Sequence, residues 1–259
     1  IREFAMAAIS NGIQLYGGFR AFCATFLVFT DYLKPALRLS AIMHQPVVYV
    51  MTHDSIGVGE DGPTHQPIEH LSALRATPGV LVFRPADAKE TAYSYLAAFE
   101  ADKPSVLALT RQNLPQYAET NDGAYKGGYI LKDAKKSKPD VILMASGSEV
   151  ELIYKAADLL ESDGIKTRVV SMPCLDLFDE QEASYREAVL PRSVRARVAV
   201  EAGSAYSWDR YIGLDGATVC IDHFGASAPA SVLFREFGFT VERVVVAANE
   251  SLKKVENWN

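Results

Sequence analysis

The residues best suited to ligand binding or catalysis in this sequence lie between Thr52 and Pro67, in the stretch THDSIGVGEDGPTHQP. Two histidines, two aspartates, one glutamate and three glycines occur within these sixteen positions. Glycine allows a backbone to take conformations closed to other residues and to approach a ligand closely. We therefore expect His53, Asp61 and His65 to direct imidazole and carboxylate groups into one pocket, where they could hydrogen-bond a polar ligand.

An apolar run from Val47 to Met51 precedes this stretch and predicts a buried β-strand. In an open α/β sheet, ligands usually bind at the loops that follow the carboxyl ends of strands. Residues 52–67 are therefore predicted to form a ligand-binding loop, which we call the polar loop. The plainest alternative is a solvated, glycine-rich loop with incidental histidines.

The glycines of the polar loop match a second pattern, Gly57-x-Gly59-x-x-Gly62, which is the fingerprint of dinucleotide-binding folds. That fingerprint requires the first glycine at the strand end and a helix that begins at the last glycine. Here the first glycine lies six residues after Met51, and Pro63 follows the last. The match lacks its structural context and is a weak indication of dinucleotide binding.

A zinc site is a third alternative, with His53, His65 and His70 as ligands. Structural zinc sites usually have shorter ligand spacings and include cysteine. No cysteine joins these histidines, so zinc is the less favoured interpretation, and His70 is interpreted as a structural residue.

The elements around the polar loop alternate between predicted strands and helices, which indicates an α/β fold with parallel strands. In the first part, the predicted strands are 47–51, 80–83 and 106–110, and the predicted helices are 3–13, 67–76 and 86–100. After the aperiodic polar residues 117–128, the predicted strands are 141–145, 167–171 and 198–201, and the predicted helices are 149–162, 179–190, 229–237 and 241–254. We therefore predict two successive domains, each a mainly parallel sheet covered by helices: residues 1–120 and 139–259, with 121–138 as linker and first strand of the second domain.

Three aromatic residues, Phe26, Phe29 and Tyr32, recur at intervals of three, which predicts one face of a helix ending near Leu33. Pro35 is costly inside a helix and is predicted to open the next one. From spacing alone, core packing is the favoured role for the three rings.

Gly147, Ser148 and Glu149 stand between a predicted strand and a predicted helix. A helix N-terminus at this position could hold an anion, because its first N–H groups have no intrahelical partner. A tight turn with Ser148 as the N-cap is favoured over a binding site.

The composition is that of an ordinary soluble globular protein, with 49% hydrophobic and 22% charged residues among 259. The net charge is −6 and no basic stripe is present, which argues against nucleic acid as a partner. No apolar run approaches the about 18 residues that a transmembrane helix requires. Cys23, Cys174 and Cys220 are odd in number and widely spaced, which predicts reduced thiols and a cytoplasmic location.

The polar loop resembles the substrate-loop signature of transketolases, residue for residue over its whole length. Other segments match the same family in the same order: IREFAMAAISNGI at 1–13, TFLVFTDY at 25–32, RPAD at 84–87, TRQNLP at 110–115, GSEVEL at 147–152, RVVSMP at 168–173, FGASAP at 224–229 and FGFT at 237–240. The resemblance covers nearly all of the chain. It implies a thiamine-diphosphate-binding pyrimidine domain, incomplete at its N-terminus, followed by a Rossmann-like transketolase C-terminal domain.

The resemblance implies an enzyme that moves a two-carbon ketol unit between sugar phosphates in the pentose phosphate pathway. Xylulose 5-phosphate would be the donor, and ribose 5-phosphate or erythrose 4-phosphate the acceptor. Breaking a carbon–carbon bond beside a carbonyl requires an electron sink that no side chain supplies well, and the ylid of thiamine diphosphate supplies it in this family.

By the resemblance, Glu3 and His65 are the catalytic residues of this chain. Glu3 would hydrogen-bond N1′ of the cofactor's aminopyrimidine and favour the tautomer whose 4′-nitrogen can accept a proton. Phe26, Phe29 and Tyr32 would line the aminopyrimidine pocket, since aromatic faces stack on a flat heterocycle. Cofactor binding therefore replaces core packing as the favoured role of these three rings.

The same resemblance assigns the substrate contacts to His53, Asp61, His65 and Arg111. His53 and Arg111 would reach the sugar phosphate, for which a guanidinium is well shaped. Asp61 would accept a hydrogen bond from a sugar hydroxyl, and His65 would donate one to the carbonyl oxygen of the donor.

The metal and pyrophosphate site of the family rests on a Gly-Asp-Gly motif in its first domain, where Mg²⁺ or Ca²⁺ is bound. Four Asp-Gly pairs occur here, at Asp61, Asp122, Asp163 and Asp215, and glycine precedes none of them. We therefore expect the chain to be a fragment that contributes no metal ligand and is inactive alone. In the family, the two ends of the cofactor come from different subunits of a homodimer, so the expected partners are a second copy and the missing pyrophosphate-binding domain.

Three related thiamine enzymes share this architecture: dihydroxyacetone synthase, 1-deoxyxylulose-5-phosphate synthase and the β subunit of 2-oxo acid dehydrogenases. The intact motifs GEDGPTHQP and TRQNLP favour transketolase over the last two. Dihydroxyacetone synthase is the hardest to separate by its motifs. A non-catalytic fragment that dimerises through the pyrimidine-binding domain is an alternative of a different class.

Overall fold

A computed structural model of the chain describes residues 2–134 and 138–257, and it contains two β-sheets flanked by helices. The first unit comprises α1 (Glu3–Tyr16), β1 (Phe22–Phe26), α2 (Thr30–Ile42), β2 (Val48–Thr52), α3 (His70–Arg75), β3 (Leu81–Phe83), α4 (Ala88–Glu100) and β4 (Ser105–Leu109). The second unit comprises β5 (Tyr129–Lys132), β6 (Val141–Ala145), α5 (Val150–Ser162), β7 (Thr167–Ser171), α6 (Leu175–Asp179), α7 (Ala183–Val189), β8 (Arg197–Val200), α8 (Asp209–Ile212), β9 (Ala217–Val219), α9 (Ala230–Glu236) and α10 (Val241–Glu256). The predicted α/β class is confirmed.

The first sheet has the strand order β1-β2-β4-β3, and every neighbouring pair is parallel. Its register pairs Phe26 with Thr52, and Thr52 with Leu109, so β1, β2 and β4 end at the same level. The chain therefore leaves three neighbouring strands at one edge, where the polar loop begins. This is the carboxyl edge at which α/β proteins usually bind ligands.

The second sheet has the order β5-β7-β6-β8-β9. Its strands are parallel except for β5, which runs antiparallel to β7 at one edge. The sheet is therefore mainly parallel, as predicted, and its parallel strands also present a carboxyl edge.

Helices bury both sheets, so their central strands are apolar throughout rather than alternating. Every residue of β6 is buried, and Leu143 packs in one cluster with Ile153 of α5 and Val244 of α10. In the first unit, Leu37 of α2 packs in one cluster with Tyr49 of β2. This packing fixes the strand ends from which the site residues project.

The structure corrects the prediction for the aromatic stretch, which is not one helix. Phe26 is the last residue of β1, Phe29 lies in a 3₁₀ turn over residues 27–29, and Tyr32 lies in the first turn of α2. A three-residue interval matches a 3₁₀ turn at least as well as an α-helix. Pro35 lies inside α2 rather than at the start of a second helix, and there it removes one backbone hydrogen bond without ending the helix.

The other differences concern short elements. The helix predicted at 179–190 is the shorter α7, and β1, α6, α8 and β9 were not predicted. Residues 135–137 of the predicted linker, and Ile1 in the first matching segment, lie outside the described residues. None of the helices in residues 2–134 and 138–257 has the length and apolar character needed to cross a membrane.

Candidate active site

The carboxyl edge of the first sheet gathers residues that are far apart in the sequence. Phe26 ends β1, His53 directly follows β2, and Arg111 comes two residues after β4. Because these strands end at one level, the three side chains start from neighbouring points on the same edge. The structure thus brings a predicted cofactor residue and two predicted substrate contacts together.

A row of rings connects the aromatic residues to the polar loop. Phe26 and Phe29 stack with their centroids 6.0 Å apart, and Phe29 and Tyr32 stack at 6.1 Å. The His53 ring lies on Phe26 at 3.6 Å with 19° between the planes, and the His65 ring meets Phe29 edge to face at 5.5 Å. The three aromatic residues predicted to bind the cofactor and the polar loop therefore form one continuous surface.

His53 combines an unusual backbone with a perturbed imidazole. Its φ of 61° lies in the left-handed region, which a residue with a Cβ adopts only where its surroundings hold it. Burial lowers the pKa of His53, Arg111 lowers it further, and Asp61 opposes both effects. The imidazole therefore favours its neutral form, and its Nδ1 is hydrogen-bonded to Thr52 Oγ1 at 2.9 Å.

Asp61 and Arg111 are exposed, so both charges face solvent and can meet a ligand. Both charges lie near enough to the imidazole of His53 to affect its pKa, which Arg111 lowers and Asp61 raises. His65 is half-buried, and its Nδ1 is hydrogen-bonded to Thr64 Oγ1 at 2.9 Å. The four predicted substrate contacts thus offer a cation, an anion and two imidazoles along one loop edge.

Glu3 lies half-buried in the first turn of α1. The helix is held in place by Asn11, which donates to the carbonyl of Ala36 in α2 at 2.9 Å and accepts from the Tyr49 hydroxyl of β2 at 3.1 Å. Glu3 is therefore carried by a helix fixed to the element that holds Tyr32, and its role at the cofactor stays a prediction.

Buried hydrogen bonds hold the far end of the polar loop. Gln66 is 2% exposed, and its Nε2 donates to the carbonyls of Gly59 (2.8 Å) and Ala226 (2.9 Å). Ser227 Oγ donates to the carbonyl of Glu60 at 2.5 Å. Because Ala226 and Ser227 belong to the second unit, that unit contacts the loop directly.

The glycine pattern does not build a dinucleotide site. A 3₁₀ turn over residues 56–58 follows β2, and the next α-helix of the described chain begins only at His70. The Gln112 side chain lies against Gly57, and its amide would have to move to admit a Cβ there. Gly59 and Gly62 have φ values of 84° and 78°, so these glycines shape the loop itself.

The three histidines considered as zinc ligands do not come together. In the described part of the chain, the group with donor atoms close enough to share a metal ion consists of Asp31, Glu69 and His70. His53 and His65 instead contact aromatic rings. His70 is buried, with Nε2 3.3 Å from Asp31 Oδ2, which agrees with its interpretation as a structural residue.

Sequence analysis missed a buried ionic cluster that adjoins the polar loop. It consists of Asp54, Arg75, Arg84, Glu149 and Glu201, and we call it the ion cluster. Arg84 Nε donates to Asp54 Oδ2 at 2.7 Å, and Arg84 Nη1 donates to Glu149 Oε2 at 2.5 Å. Arg75 donates to both carboxylate oxygens of Glu201, at 2.7 and 2.8 Å. The cluster joins the two units, since Glu149 and Glu201 belong to the second.

The charges of the ion cluster stabilise one another. Burial alone would lower the pKa of Arg84, but Glu149 and Asp54 outweigh it and raise that pKa. Burial alone would raise the pKa of Glu201, but Arg75 lowers it to about 2. Burial raises the pKa of Glu149, and Arg84 only partly offsets that rise. The cluster is therefore stable only as a set, because removing one partner would leave an uncompensated buried charge.

One sequence signal could have found the cluster. Arg84 directly follows β3 and Glu201 directly follows β8, so each is a charge next to an apolar run, LVF at 81–83 and VAV at 198–200. A charge in such a position requires a buried partner.

The segment Gly147–Glu149 is a tight 3₁₀ turn, the interpretation favoured over an anion site. Its N-cap residue is Ser146, without a side-chain cap hydrogen bond, and not Ser148 as predicted. The turn contacts the guanidinium of Arg84 through Ser146 and Glu149.

The fold and the site can be compared with known families. A model of the transketolase pyrimidine-binding domain matches residues 1–116, and a model of the transketolase-like C-terminal domain matches residues 127–240. The two matched family models indicate a protein of the thiamine-dependent transferase class. The row of aromatic rings and the polar loop both lie within the residues that the pyrimidine-binding model matches.

Relatives narrow this class. The chloroplastic transketolase of Solanum tuberosum is 55% identical over 254 residues, which are 96% of this chain and 34% of that protein. The structure of transketolase from Pichia stipitis in complex with sedoheptulose 7-phosphate has a TM-score of 0.94 at 44% identity, covering 99% of this chain and 37% of that one. A split-gene transketolase, described as an inactive β4 tetramer, has a TM-score of 0.80 at 26% identity, covering 98% of this chain and 82% of that one.

The chain belongs to the transketolase family. It spans about a third to a half of the length of the curated relatives it matches, from 34% to 49% of three plant transketolases. The architecture implied by the sequence resemblance is confirmed, and the roles of individual site residues stay predictions.

Proposed function

We propose that this chain supplies the aminopyrimidine half of a thiamine diphosphate site and the sugar-binding loop of a transketolase. The whole protein would transfer a two-carbon ketol unit from xylulose 5-phosphate to ribose 5-phosphate or erythrose 4-phosphate, in the pentose phosphate pathway. The observation that carries the proposal is the stack of His53 on Phe26, 3.6 Å between centroids, which joins the row of aromatic rings to the polar loop. The P. stipitis complex with sedoheptulose 7-phosphate supports a sugar phosphate as ligand.

The aromatic residues are suited to a flat heterocycle. Phe26 and Phe29 are half-buried and Tyr32 is 62% exposed, so ring surface is open while the backbone is fixed at a strand end and a helix start. When bound, thiamine diphosphate supplies the electron sink that cleavage of a carbon–carbon bond requires. Glu3 would hold a proton against N1′ of the aminopyrimidine, a role suited to a partly desolvated carboxyl group.

The polar loop divides the recognition of a sugar phosphate among four side chains. Arg111 would provide the charge that binds phosphate, and the neutral His53 beside it would provide a further hydrogen bond. Asp61 would accept from a sugar hydroxyl, and His65 would donate to the carbonyl oxygen of the donor sugar. The opposite charges of Arg111 and Asp61 near His53 support this division, because phosphate and hydroxyl groups need different partners.

The pyrophosphate end of the cofactor and its Mg²⁺ or Ca²⁺ are assigned to a pyrophosphate-binding domain outside residues 1–259. The absence of Gly-Asp-Gly from this sequence supports the assignment, and so does the partial coverage of its relatives. The chain alone would therefore be inactive, as the split-gene neighbour is described.

An exposed apolar surface supports the proposed partners. Its large side chains come from α1, β1, α2 and the segment before β1: Phe4, Ile9, Ile13, Leu15, Tyr16, Phe19, Phe22, Leu39 and Ile42. Exposed apolar side chains concentrated on neighbouring elements are normally covered by another protein surface. We assign this surface to a homodimer through the pyrimidine-binding domain and to the pyrophosphate-binding domain.

The three cysteines are free, which agrees with the proposed cytoplasmic location.

Two alternatives differ from the proposed transketolase, one in the acceptor of the two-carbon unit and the other in having no catalytic activity. Dihydroxyacetone synthase would use the same cofactor half but pass the two-carbon unit to a one-carbon acceptor, formaldehyde, because its product has three carbons. A non-catalytic fragment would form the apolar interface and never complete a site. The charged edge of the polar loop favours a phosphorylated acceptor over both alternatives.

The test compares acceptors and variants of the whole protein, with xylulose 5-phosphate as donor. We expect a higher kcat/KM for ribose 5-phosphate than for formaldehyde. Arg111→Ala should lower kcat/KM for ribose 5-phosphate roughly ten- to hundredfold, the effect of losing a charge-assisted hydrogen bond, and should spare unphosphorylated aldoses. Asp61→Ala is the matched control, which should weaken discrimination between hydroxyl epimers without changing the preference for phosphate. Preference for formaldehyde, or equal losses for phosphorylated and plain sugars, would contradict the proposal.

A further inference from the structure

Arg84 belongs to the first unit, but most of its polar partners belong to the second. Its Nη1 donates to the carbonyl of Ser146 at 2.7 Å as well as to Glu149. Its backbone N–H donates to the carbonyl of Pro173 at 2.7 Å, and its own carbonyl accepts from the N–H of Gly147 at 2.9 Å. The second unit therefore forms hydrogen bonds with both the backbone and the guanidinium of Arg84.

Gly147 shows how closely the second unit fits this side chain. Its φ is +58°, and a Cβ added there would lie 2.8 Å from Arg84 Cζ. Both the backbone conformation and the lack of space therefore require glycine. The carboxyl edge of the second sheet, where an α/β protein would usually bind a ligand, is occupied by Arg84 instead.

The guanidinium also connects these contacts to the polar loop. Arg84 Nη2 donates to Ser148 Oγ at 3.4 Å, and Arg84 Nε donates to Asp54, which is 1% exposed and whose second oxygen, Oδ1, has no hydrogen-bond partner among the described residues. Asp54 directly follows His53, the residue whose φ of 61° must be held by its surroundings. Arg84 is therefore the group that fixes the loop where it leaves β2.

We propose that the second unit positions His53 through a relay of three buried side chains, in which Glu149 holds Arg84 and Arg84 holds Asp54. These are positioning residues for the proposed sugar-phosphate site, and none of them touches the substrate. The importance of this relay for catalysis rests on the proposed function, whereas the existence of the relay does not. The second unit also holds the far end of the polar loop through Ala226 and Ser227, so both ends of the loop depend on it.

Arginine is specifically required at the centre of the relay. Its planar fork can bond Asp54 and Glu149 at the same time from different nitrogens, which a lysine ammonium on a flexible stem cannot do in this geometry. Neutralising Glu149 would remove the negative charge that holds the Arg84 guanidinium to the second unit, while the bonds of Arg84 to Asp54 and to the Ser146 carbonyl remain. The expected consequence is a freer polar loop, not general unfolding of the second unit.

The test is hydrogen–deuterium exchange of the whole protein, read in peptides of the polar loop and of β6 and β8. Glu149→Gln should speed exchange of residues 53–66 by roughly ten- to hundredfold, as expected when a charge-assisted bond is lost. Exchange of β6 and β8 should stay within about twofold of wild type, because their ladder bonds are untouched. The control is Glu151→Gln, two residues away, which removes an exposed ion pair with Lys155 and should change neither region.

A second variant, Arg84→Lys, keeps the charge but not the fork and should free the loop in the same way. If the whole protein is active, both variants should raise KM for sugar phosphates and leave the affinity for thiamine diphosphate unchanged. Unchanged loop exchange in both variants would overturn the relay. Equal acceleration of the loop and of β6 and β8 would also overturn it, because that outcome means general destabilisation. Because exchange does not require turnover, failure of the relay is distinguishable from failure of the proposed function.

Discussion

His53 has both a cation and an anion near its imidazole, and burial is the main reason why its pKa is lowered. Arg111 lowers this pKa further, whereas Asp61 and Asp54 oppose the decrease. The neutral ring can stack on Phe26 at 3.6 Å without bringing an unpaired charge against an apolar surface. At the residue scale, the neutral His53 therefore adds no second positive charge beside Arg111.

This balance predicts how the pKa of His53 responds to its neighbours. Arg111→Gln should raise that pKa, because a nearby cation that disfavours the imidazolium has been removed. Asp61→Asn should lower it further, because a favourable anion has been removed. The measurement is an NMR titration of the His53 ring protons, with Arg192→Gln in the second unit as a control for loss of an exposed arginine. The same pKa in all variants would mean that Arg111 and Asp61 do not lie near the ring.

At the scale of elements, α4 is joined to the second unit by a buried acid that sequence analysis did not single out. Glu90 is 1% exposed, and its Oε1 is bonded to the hydroxyls of Ser171 in β7 (2.6 Å) and Tyr129 in β5 (2.9 Å). Its Oε2 accepts from the N–H of Ala86 at 2.6 Å. Burial raises the pKa of Glu90 to about 7 in spite of these hydrogen bonds.

The raised pKa predicts a specific pH dependence of stability. The folded protein holds the Glu90 proton up to about pH 7, whereas an ordinary glutamate loses it near 4.5. The contribution of Glu90 is therefore fully present below about pH 4.5 and is lost as pH rises through about 7, with a span of roughly 3 kcal/mol. Glu90→Gln, which resembles the neutral acid, should flatten this part of the curve.

The measurement is the free energy of unfolding by urea between pH 5 and 8. Glu180→Gln, which removes an exposed ion pair with Lys103, is the matched control and should keep the wild-type slope. Glu201 does not interfere, because its low pKa of about 2 confines its effect to more acidic solutions. Parallel curves for wild type and Glu90→Gln would contradict the assignment.

Elements with a local signal were predictable from the sequence, and those that depend on distant partners were not. The apolar runs at 141–145 and 167–171 predicted strands with the observed bounds. Asp87 is the N-cap of α4, where its carboxylate accepts from the N–H of Glu90, and aspartate is one of the residues favoured at that position. The aromatic stretch was misassigned because its three-residue interval suits several conformations. The ion cluster joins residues 30, 65 and 126 positions apart, a pairing no local pattern reveals.

The whole molecule places two carboxyl edges against each other. The edge of the first sheet carries the polar loop, and the edge of the second is filled by Arg84. No predicted catalytic residue belongs to the second unit. This unit instead supports the polar loop, which contains His65. The apolar surface of α1 and β1, with Tyr16 85% exposed, is left for partners that would bring the pyrophosphate end of the cofactor.

The central claim is that this chain forms one half of a thiamine diphosphate site, and reconstitution tests it most directly. The 259-residue chain is assayed alone, and again after mixing with a separately produced pyrophosphate-binding domain of a full-length relative. Both samples contain thiamine diphosphate, Mg²⁺, xylulose 5-phosphate and ribose 5-phosphate, and association of the halves is verified by size-exclusion chromatography.

The account predicts that sedoheptulose 7-phosphate forms only in the mixture. It also predicts that Glu3→Gln in this chain abolishes that activity while the two halves still associate, because the variant cannot hold the proton against the aminopyrimidine. Sustained turnover by the chain alone, or full activity of the mixture with Glu3→Gln, would contradict the account.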